Sequence, residues 1–281
     1  KQISSAVIAK KFRCDPCLIR RRLIEYKIPV RTIQEALPLS NKAKYPQYNF
    51  SENLKEKAYL MGLSKGDLHV YSRSDESSSI FINVGSTKKE LIQIAESCLS
   101  HYGHIWKSRL YDNGTRYIFC SLNRSFNFLL SRKDCIEPWI LENANSFATY
   151  LAGYVDAEGT FCLCGGNAVF SIRTQDKNIL HQIRKKLIEL GVLLRPPQIA
   201  RRKGTRDKLG TISNKDIWVI FVHRKDALLK LIDLLVPYLK HDDKLKRIEI
   251  LKENIFLRNK KYNRLRGSKF DKLYLIEGIK I

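Results

Sequence analysis

The chain has 281 residues, of which 44% are apolar, so it is long enough to bury a substantial core and does not have the composition of a disordered protein. Its 51 Lys and Arg residues against 28 Asp and Glu residues give a net charge of +23, which points to a polyanionic partner. Nucleic acid is favoured over a membrane, because basic residues spread along the chain and no segment reaches the roughly 18 consecutive apolar residues of a span. With no apolar leader and seven scattered cysteines, we expect a cytoplasmic protein, or an organellar one if it is organelle-encoded.

The beginning of the chain, up to residue 37, is predicted to form a small helical unit. Apolar residues recur at a helical period in Ile3–Phe12, the pattern breaks at Asp15, and it resumes in Cys17–Tyr26. This order is similar to a helix-turn-helix, whose second helix would contact DNA through Arg20 and Arg21. The alternative is a surface hairpin whose arginines are only solvated.

A linker and two similar halves follow this unit. Residues 38–50, rich in proline and polar residues, are the predicted linker. Residues 51–141 and 142–259 then form two repeats, and residues 260–281 a basic tail. Each repeat is predicted to contain a helix, two strands, a helix, two strands and a helix. The predicted fold class is therefore α/β of the α+β type, with two pseudo-symmetric αββαββα repeats.

The predicted elements of the first repeat are residues 53–66, 68–73, 79–84, 88–102, 105–111, 116–122 and 126–130. Those of the second repeat are residues 145–157, 160–164, 168–173, 177–190, 193–202, 216–223 and 226–235, followed by a basic helix at 244–259.

Each repeat opens with a helix that is rich in small residues and ends in a carboxylate. In the second repeat, Thr149–Phe161 reads Thr-Tyr-Leu-Ala-Gly-Tyr-Val-Asp-Ala-Glu-Gly-Thr-Phe. In the first, Ala58–Leu68 reads Ala-Tyr-Leu-Met-Gly-Leu-Ser-Lys-Gly-Asp-Leu, and superposition places Asp67 on Glu158. A carboxylate at this end of a helix meets the negative end of the macrodipole, which costs up to about 1 kcal/mol unless a cation offsets it.

Small side chains would let the two helices pack closely and bring Asp67 and Glu158 side by side. Like charges in that position repel unless cations bridge them. Carboxylate oxygens suit Mg²⁺, which keeps water and phosphate oxygens as further ligands and can activate a water against a phosphodiester. The small residues concerned are Ala58, Gly62, Ala148, Ala152 and Gly153.

The two motifs and the repeated element order resemble those of monomeric LAGLIDADG homing endonucleases. Nine consecutive positions of the second motif fit the family pattern, whereas the first has Met61, Lys65 and Leu68 in place of alanine, aspartate and glycine. The resemblance implies that the repeats form a DNA-binding saddle with the motif helices at the interface. It also implies an intron-encoded, Mg²⁺-dependent nuclease that acts as a monomer and cuts both strands of double-stranded DNA, with Asp67 and Glu158 as catalytic metal ligands.

The resemblance further implies supporting groups beside the carboxylates. A polar residue is expected at the end of the second strand, where Thr174 or Gln175 fits and Gln175 is preferred. A lysine is expected near the last helix of each repeat. Lys133 is the candidate in the first repeat, and Lys244 is preferred over Lys240 in the second.

Alternation along the strands identifies candidate DNA contacts, because side chains two residues apart share a face of a sheet. After the first motif, the face that includes Asp67 is polar and basic. The residues expected to face a major groove are His69, Tyr71, Arg73, Asn83, Lys107, Thr160, Cys162, Ser171, Arg173 and Arg201.

Two other functions use the same scaffold. One is a catalytically retired DNA-binding regulator, which the retention of both carboxylates disfavours. The other is a maturase that binds the RNA of its intron, which net charge does not distinguish from a nuclease. An intein is disfavoured because the chain neither begins with Cys or Ser nor ends in His-Asn.

Overall fold

The computed structural model describes residues 3–32, 45–75, 77–206 and 210–262, so the predicted linker and tail lie partly outside the described residues. The chain divides into two compact units. Unit 1 comprises Lys1–Ser51, His69–Thr87 and Ala95–Ser131; unit 2 comprises Glu52–Leu68, Lys88–Ile94 and Arg132–Ile281.

The helices are α1 (Ser5–Phe12), α2 (Pro16–Glu25), α3 (Leu54–Gly66), α4 (Lys89–Leu99), a 3₁₀-helix (Arg124–Leu130), α5 (Pro138–Glu142), α6 (Ala144–Glu158), α7 (Lys177–Glu189), α8 (Lys225–Leu235) and α9 (Asp242–Tyr262). The strands are β1 (His69–Tyr71), β2 (Ser79–Ser86), β3 (Ile105–Lys107), β4 (Arg116–Asn123), β5 (Gly159–Cys164), β6 (Asn167–Thr174), β7 (Gln198–Arg201) and β8 (Ile217–Val222).

The N-terminal pair of helices begins and ends at residues suited to those places. The Ser4 side chain accepts the N–H of Val7 at the start of α1, and Asp15 accepts the N–H of Cys17 at the start of α2. Arg13 adopts a left-handed conformation that ends α1. The two helices are thus present as predicted, and their contact with DNA stays a prediction.

Unit 1 contains an antiparallel sheet in the order β1-β2-β4-β3. Its core face carries side chains such as Ile82, Ile118 and Leu122, which are at most 1% exposed. Burial of these side chains is what stabilises the sheet. The predicted closing helix of the first repeat is the 3₁₀-helix, whose Phe126 ring packs against Phe50.

Unit 2 contains a second antiparallel sheet in the order β5-β6-β8-β7, the same order as in the first sheet. Helices α6, α7, α8 and α9 contact this sheet. Its core face includes Phe161, Phe170 and Ile172, which are fully buried. Two antiparallel four-stranded sheets with helices, produced by the same element order, confirm the predicted fold class.

Several details differ from the prediction. Strand β1 covers residues 69–71 rather than 68–73, and β3 covers residues 105–107 rather than 105–111. Helix α5 was not predicted. Strand β7 begins at Gln198 rather than residue 193, because Pro196 and Pro197 have no N–H to donate to a neighbouring strand. Within the described residues, no helix combines the length and the apolar content needed to cross a membrane.

Candidate functional site

Helices α3 and α6, both in unit 2, touch backbone to backbone. A Cβ added to Gly62 would collide with the carbonyl oxygen of Tyr150 and lie 2.8 Å from the backbone nitrogen of Tyr154. In the reciprocal contact, a Cβ added to Gly153 would collide with the carbonyl oxygen of Tyr59. The predicted close approach of the two motif helices is confirmed, and these glycines are what permits it.

The contact continues to the C-terminal ends of both helices. A Cβ added to Gly66, the last residue of α3, would collide with Ala157 and lie 3.2 Å from Oε1 of Glu158. Asp67 caps α3, and Glu158 is the last residue of α6. The two carboxylate residues therefore lie at adjoining helix ends, and Gly66, which the sequence did not single out, leaves the space for the Glu158 side chain.

The electrostatics of this pair favour protonation. Glu158 is half-buried, and burial, followed by the negative charges of Asp67 and Asp176, raises its pKa to about 7. Although Asp67 is open to solvent, the surrounding protein raises its pKa as well, against the opposing charges of Lys244 and Lys88. A bound cation would relieve this unfavourable accumulation of negative charge.

Lys244 is the buried cation of the site. Its ammonium donates hydrogen bonds to the carbonyls of Val155 and Asp156, the latter at 2.7 Å, in the last turn of α6. A cation in this position offsets the negative end of the helix. Burial lowers the pKa of Lys244 to about 8, with the charge of Asp156 as the largest opposing influence. Of the two lysine candidates, Lys240 lies instead with its ammonium 4.4 Å from the Tyr59 ring.

Asp156 joins the two helices. It is 1% exposed, and its Oδ2 accepts the Tyr59 hydroxyl at 2.5 Å and the backbone N–H of Lys240 at 2.9 Å. Burial raises its pKa, and these hydrogen bonds oppose that effect. The sequence did not single out Asp156 or Tyr59, although the substitution of Lys65 for aspartate in the first motif was a signal that the position matters.

The corresponding position of the first motif is used differently. The Lys65 ammonium donates to the carbonyl oxygen of Lys133 at 2.9 Å, and burial lowers the pKa of Lys65 against the opposing charge of Asp176. Lys133 itself is exposed, so only its backbone is held here. Gln175 is also exposed. The next residue along the chain, Asp176, raises the pKa of Glu158 through its negative charge.

The donor set limits which metal would fit. Among the described residues, no group of three or more His, Cys, Asp or Glu side chains is arranged to hold a metal ion. A closed zinc site and an all-protein calcium cage both need more ligands than Asp67 and Glu158 provide. The pair suits Mg²⁺, which is usually held by one or two carboxylates and completes its shell with water and substrate phosphates.

On the first sheet, most of the predicted DNA-contact residues share the face opposite the core. His69 pairs with Asn83, and Tyr71 pairs with Phe81. Arg73 lies beyond the end of β1, with its guanidinium 4.7 Å from the Phe81 ring.

The expected outward orientation of Lys107 is wrong. In the register of the sheet it pairs with Ile118, whose side chain belongs to the core face. Its ammonium forms an ion pair with Glu96 at 2.5 Å. The residue of β3 that shares the outer face is Trp106, which pairs with Phe119.

On the second sheet, Thr160 pairs with Ser171 and Cys162 pairs with Val169, on the face opposite the core. Thr160 and Arg173 are exposed, whereas Ser171 is only 7% exposed. Arg201 pairs with Ile217 next to an irregularity in the strand. On α2, Arg20 and Arg21 are both exposed.

Comparisons with known proteins find likeness in structure only. No protein-family model matches the chain, and no curated protein matches it. The homing endonuclease I-DmoI in complex with DNA and Mn is similar at 17% identity, over 65% of this chain and 96% of that one, with a TM-score of 0.43. The homing endonuclease I-WcaI bound to its DNA recognition sequence is similar at 16% identity, over 68% and 84%, with a TM-score of 0.45. Full-length DUF199/WhiA from Thermatoga maritima is similar at 14% identity, over 88% and 70%, with a TM-score of 0.44.

Proposed function

We propose that the chain is a site-specific endonuclease that hydrolyses both strands of duplex DNA with a divalent metal, Mg²⁺ being the expected ion. The observation that carries this proposal is the meeting of Asp67 and Glu158 at adjoining ends of two helices packed backbone to backbone. Folding alone does not account for two carboxylates at adjoining helix ends, both with a raised pKa, where burial and then the charge of Asp67 raise the pKa of Glu158. A net charge of +23 supports a polyanionic substrate.

The residues of the site have different proposed roles. Asp67 and Glu158 would hold the metal, which when bound would supply an activated water and stabilise the leaving oxygen of the phosphodiester. Lys244, with a pKa lowered to about 8, is a buried donor suited to a proton transfer near neutral pH or to developing negative charge. Asp156, which is 1% exposed, would position α6 against α3 through its hydrogen bond with Tyr59.

The remaining proposed roles are support of the two carboxylates and contact with DNA. Lys133 and Gln175, both exposed, would assist at the first and second carboxylate respectively. A single chain contains both carboxylates, so a monomer can supply both metal ligands. Outward residues of the sheets and of α2 would contact the duplex, and they are His69, Tyr71, Arg73, Asn83, Thr160, Cys162, Ser171, Arg173, Arg201, Arg20 and Arg21.

The test is cleavage of a randomised duplex library by the full chain with Mg²⁺, followed by sequencing of the cleaved ends. We expect one preferred site, and we expect Glu158→Gln and Asp67→Asn to abolish its cleavage while binding of the duplex is retained. Glu142→Gln, which changes an exposed carboxylate of the same unit, is the matched control and should cut normally. Unchanged cleavage in both site variants would contradict the assigned roles.

The retired regulator is the outcome in which the chain selects a duplex sequence but cuts it under no Mg²⁺ or Mn²⁺ condition. The retention of both carboxylates and of a buried lysine beside them argues against that outcome. The maturase alternative concerns RNA, and it uses the outer face of the first sheet, which is also proposed to contact the duplex.

A further inference from the structure

The outer face of the first sheet carries a continuous row of aromatic rings that crosses all four strands. The distances between neighbouring ring centroids are 5.5 Å from Tyr71 on β1 to Phe81 on β2, and 5.8 Å from Phe81 to Phe119 on β4. The ring of Trp106 on β3 lies 5.7 Å from that of Phe119. We call these four residues the aromatic row. It belongs entirely to unit 1, whereas Asp67 and Glu158 belong to unit 2.

The aromatic row is open to solvent at several points. Trp106 is 38% exposed, Tyr71 and Phe119 are half-buried, and Phe81, between Tyr71 and Phe119 in the row, is only 9% exposed. The row continues past β3, where Tyr45 stacks on His104 at 3.9 Å and meets Trp106 edge-on at 5.3 Å. The core of the sheet lies on its other face, so packing does not require aromatic side chains on this one.

The charge around the row suits a polyanion. The strands β1 to β4 contain no Asp or Glu. The Arg73 guanidinium lies 4.7 Å from the ring of Phe81, and the Arg109 guanidinium lies 5.8 Å from the ring of Tyr111 near the β3–β4 turn. A second copy of a chain with a net charge of +23 would be repelled, so nucleic acid is the better occupant.

The second sheet shows that the topology does not impose this row. At positions matched by strand order and register, Cys162 stands for Tyr71, Val169 for Phe81 and Phe221 for Phe119. Only Phe221 keeps a ring. The aromatic row is therefore a property of this sequence on the first sheet.

We propose that the aromatic row binds unpaired bases of RNA by stacking. A base pair inside a duplex offers only its edges, which proteins recognise with hydrogen-bonding groups. Of the four side chains of the aromatic row, only Trp106, through its N–H, and Tyr71, through its hydroxyl, have a hydrogen-bond donor. An unpaired base offers its whole face, and four-stranded sheets that recognise single-stranded RNA stack two or three bases on aromatic side chains. RNA is the polynucleotide whose loops and single strands present such bases. This activity goes beyond duplex cleavage. It identifies the aromatic row as the site at which a maturase would bind the RNA of its intron.

The experiment measures binding of the full chain to three labelled probes of one sequence, a single-stranded RNA, the same single-stranded DNA and the DNA duplex, by fluorescence anisotropy at fixed salt. Phe119→Leu and Trp106→Leu should each weaken RNA binding about tenfold, since the loss of one stacked base corresponds to that change. Phe119→Tyr keeps the ring and should bind RNA as the unchanged chain does. Phe221→Leu, the matched change on the second sheet, should leave RNA affinity unaltered.

The outcomes separate this proposal from duplex cleavage. RNA binding that is tighter than that of single-stranded DNA and is lost selectively in Phe119→Leu supports it. It is overturned if single-stranded DNA binds as tightly as RNA, if Phe119→Leu weakens duplex binding as much as RNA binding, or if it weakens neither. The melting temperature of Phe119→Leu, compared with that of Phe119→Tyr, shows whether the leucine variant folds. If Phe119→Leu does not fold, the RNA affinity of Trp106→Leu decides whether the aromatic row binds RNA. Failure of duplex cleavage would leave these binding results standing.

Discussion

The hydroxyl of Tyr59 on α3 donates a 2.5 Å hydrogen bond to Oδ2 of Asp156 on α6, so one oxygen of a buried carboxylate on one helix accepts a hydrogen bond from the other helix. Such a bond holds the register of two helices whose ends carry the candidate metal ligands. A hydrogen bond to a buried charge is worth more than a neutral one, and the loss of one partner leaves the charge partly unsatisfied.

Tyr59→Phe should therefore destabilise the fold by about 1–3 kcal/mol, because Oδ2 of Asp156 loses the Tyr59 hydroxyl and keeps only the backbone N–H of Lys240. The measurement is the free energy of unfolding in urea. Tyr150→Phe is the matched control, since the buried Tyr150 hydroxyl has no hydrogen-bond partner among the described residues and its removal should be neutral or stabilising. Equal losses in both variants would mean that the Tyr59 hydroxyl contributes nothing specific.

Gly62→Ala should disrupt the pairing of α3 and α6. The new methyl group would collide with the backbone of Tyr150, which cannot rotate away, so the loss should be at least about 3 kcal/mol. Gly85→Ala is the control, because the methyl group there would meet only the ring of Tyr117, which can move. Thermal unfolding of the two variants checks the difference, and a Gly62→Ala chain as stable as the Gly85→Ala chain would contradict the close approach.

Glu158→Gln should remove a pH dependence of stability. The folded-state pKa of Glu158 is raised from 4.5 to about 7, so between these values the native chain retains a proton that the unfolded chain has lost. The free energy of unfolding should therefore fall as the pH rises from about 4.5 to about 7, by on the order of 2 kcal/mol after allowance for solvent screening. Urea titrations across this range compare the unchanged chain with Glu158→Gln, and Glu142→Gln should keep the slope. A slope that persists unchanged in Glu158→Gln would assign it to other groups.

Divalent metal should stabilise the chain in a pH-dependent way. Because a cation binds the ionised carboxylates, Ca²⁺ or Mg²⁺ at about ten times its dissociation constant should raise the melting temperature by roughly 2–3 °C at pH 8. The shift should be smaller at pH 6, where Glu158 is largely protonated. Asp67→Asn and Glu158→Gln should abolish it, and an equal shift in these variants would place the bound cation elsewhere.

The two candidate lysines should behave differently. Lys244→Met removes a buried donor to the end of α6 and should lower the cleavage rate at least about 100-fold. Lys133→Met changes an exposed side chain proposed to assist at the first carboxylate, so it should lower the cleavage rate less than Lys244→Met does and reduce the salt dependence of binding by roughly one phosphate contact. Single-turnover cleavage and binding at several salt concentrations separate the two. Equal loss of cleavage rate at saturating enzyme would contradict this difference between the two lysines.

Most of the fold followed from local patterns. The two repeats, their helices and the pairing of Asp67 with Glu158 were readable because apolar spacing and the motif copies are properties of short segments. Lys107 was misplaced because the short strand β3 allows either face until its partner is known, and pairing with Ile118 decides it. Helix α5 was missed because five residues carry little periodic signal.

The site was only partly readable for a similar reason. Alternation identified the residue types that line the strands, but it could not show that the charge of Asp176 raises the pKa of Glu158. Nor did it bring together the rings of Tyr71, Phe81, Phe119 and Trp106, which come from four separate strands.

The sequence by itself determined a basic, two-repeat α/β chain whose motif helices end in Asp67 and Glu158, because composition and periodicity are local and do not depend on long-range contacts. Only the tertiary structure decided which groups satisfy Asp156, why Gly66 must be small, and that Lys244 is buried against α6. Those facts depend on contacts between segments that are far apart along the chain. The distances between side chains, their burial and the interactions between their charges are defined only once these segments are in contact, and these quantities determine the chemistry of the site.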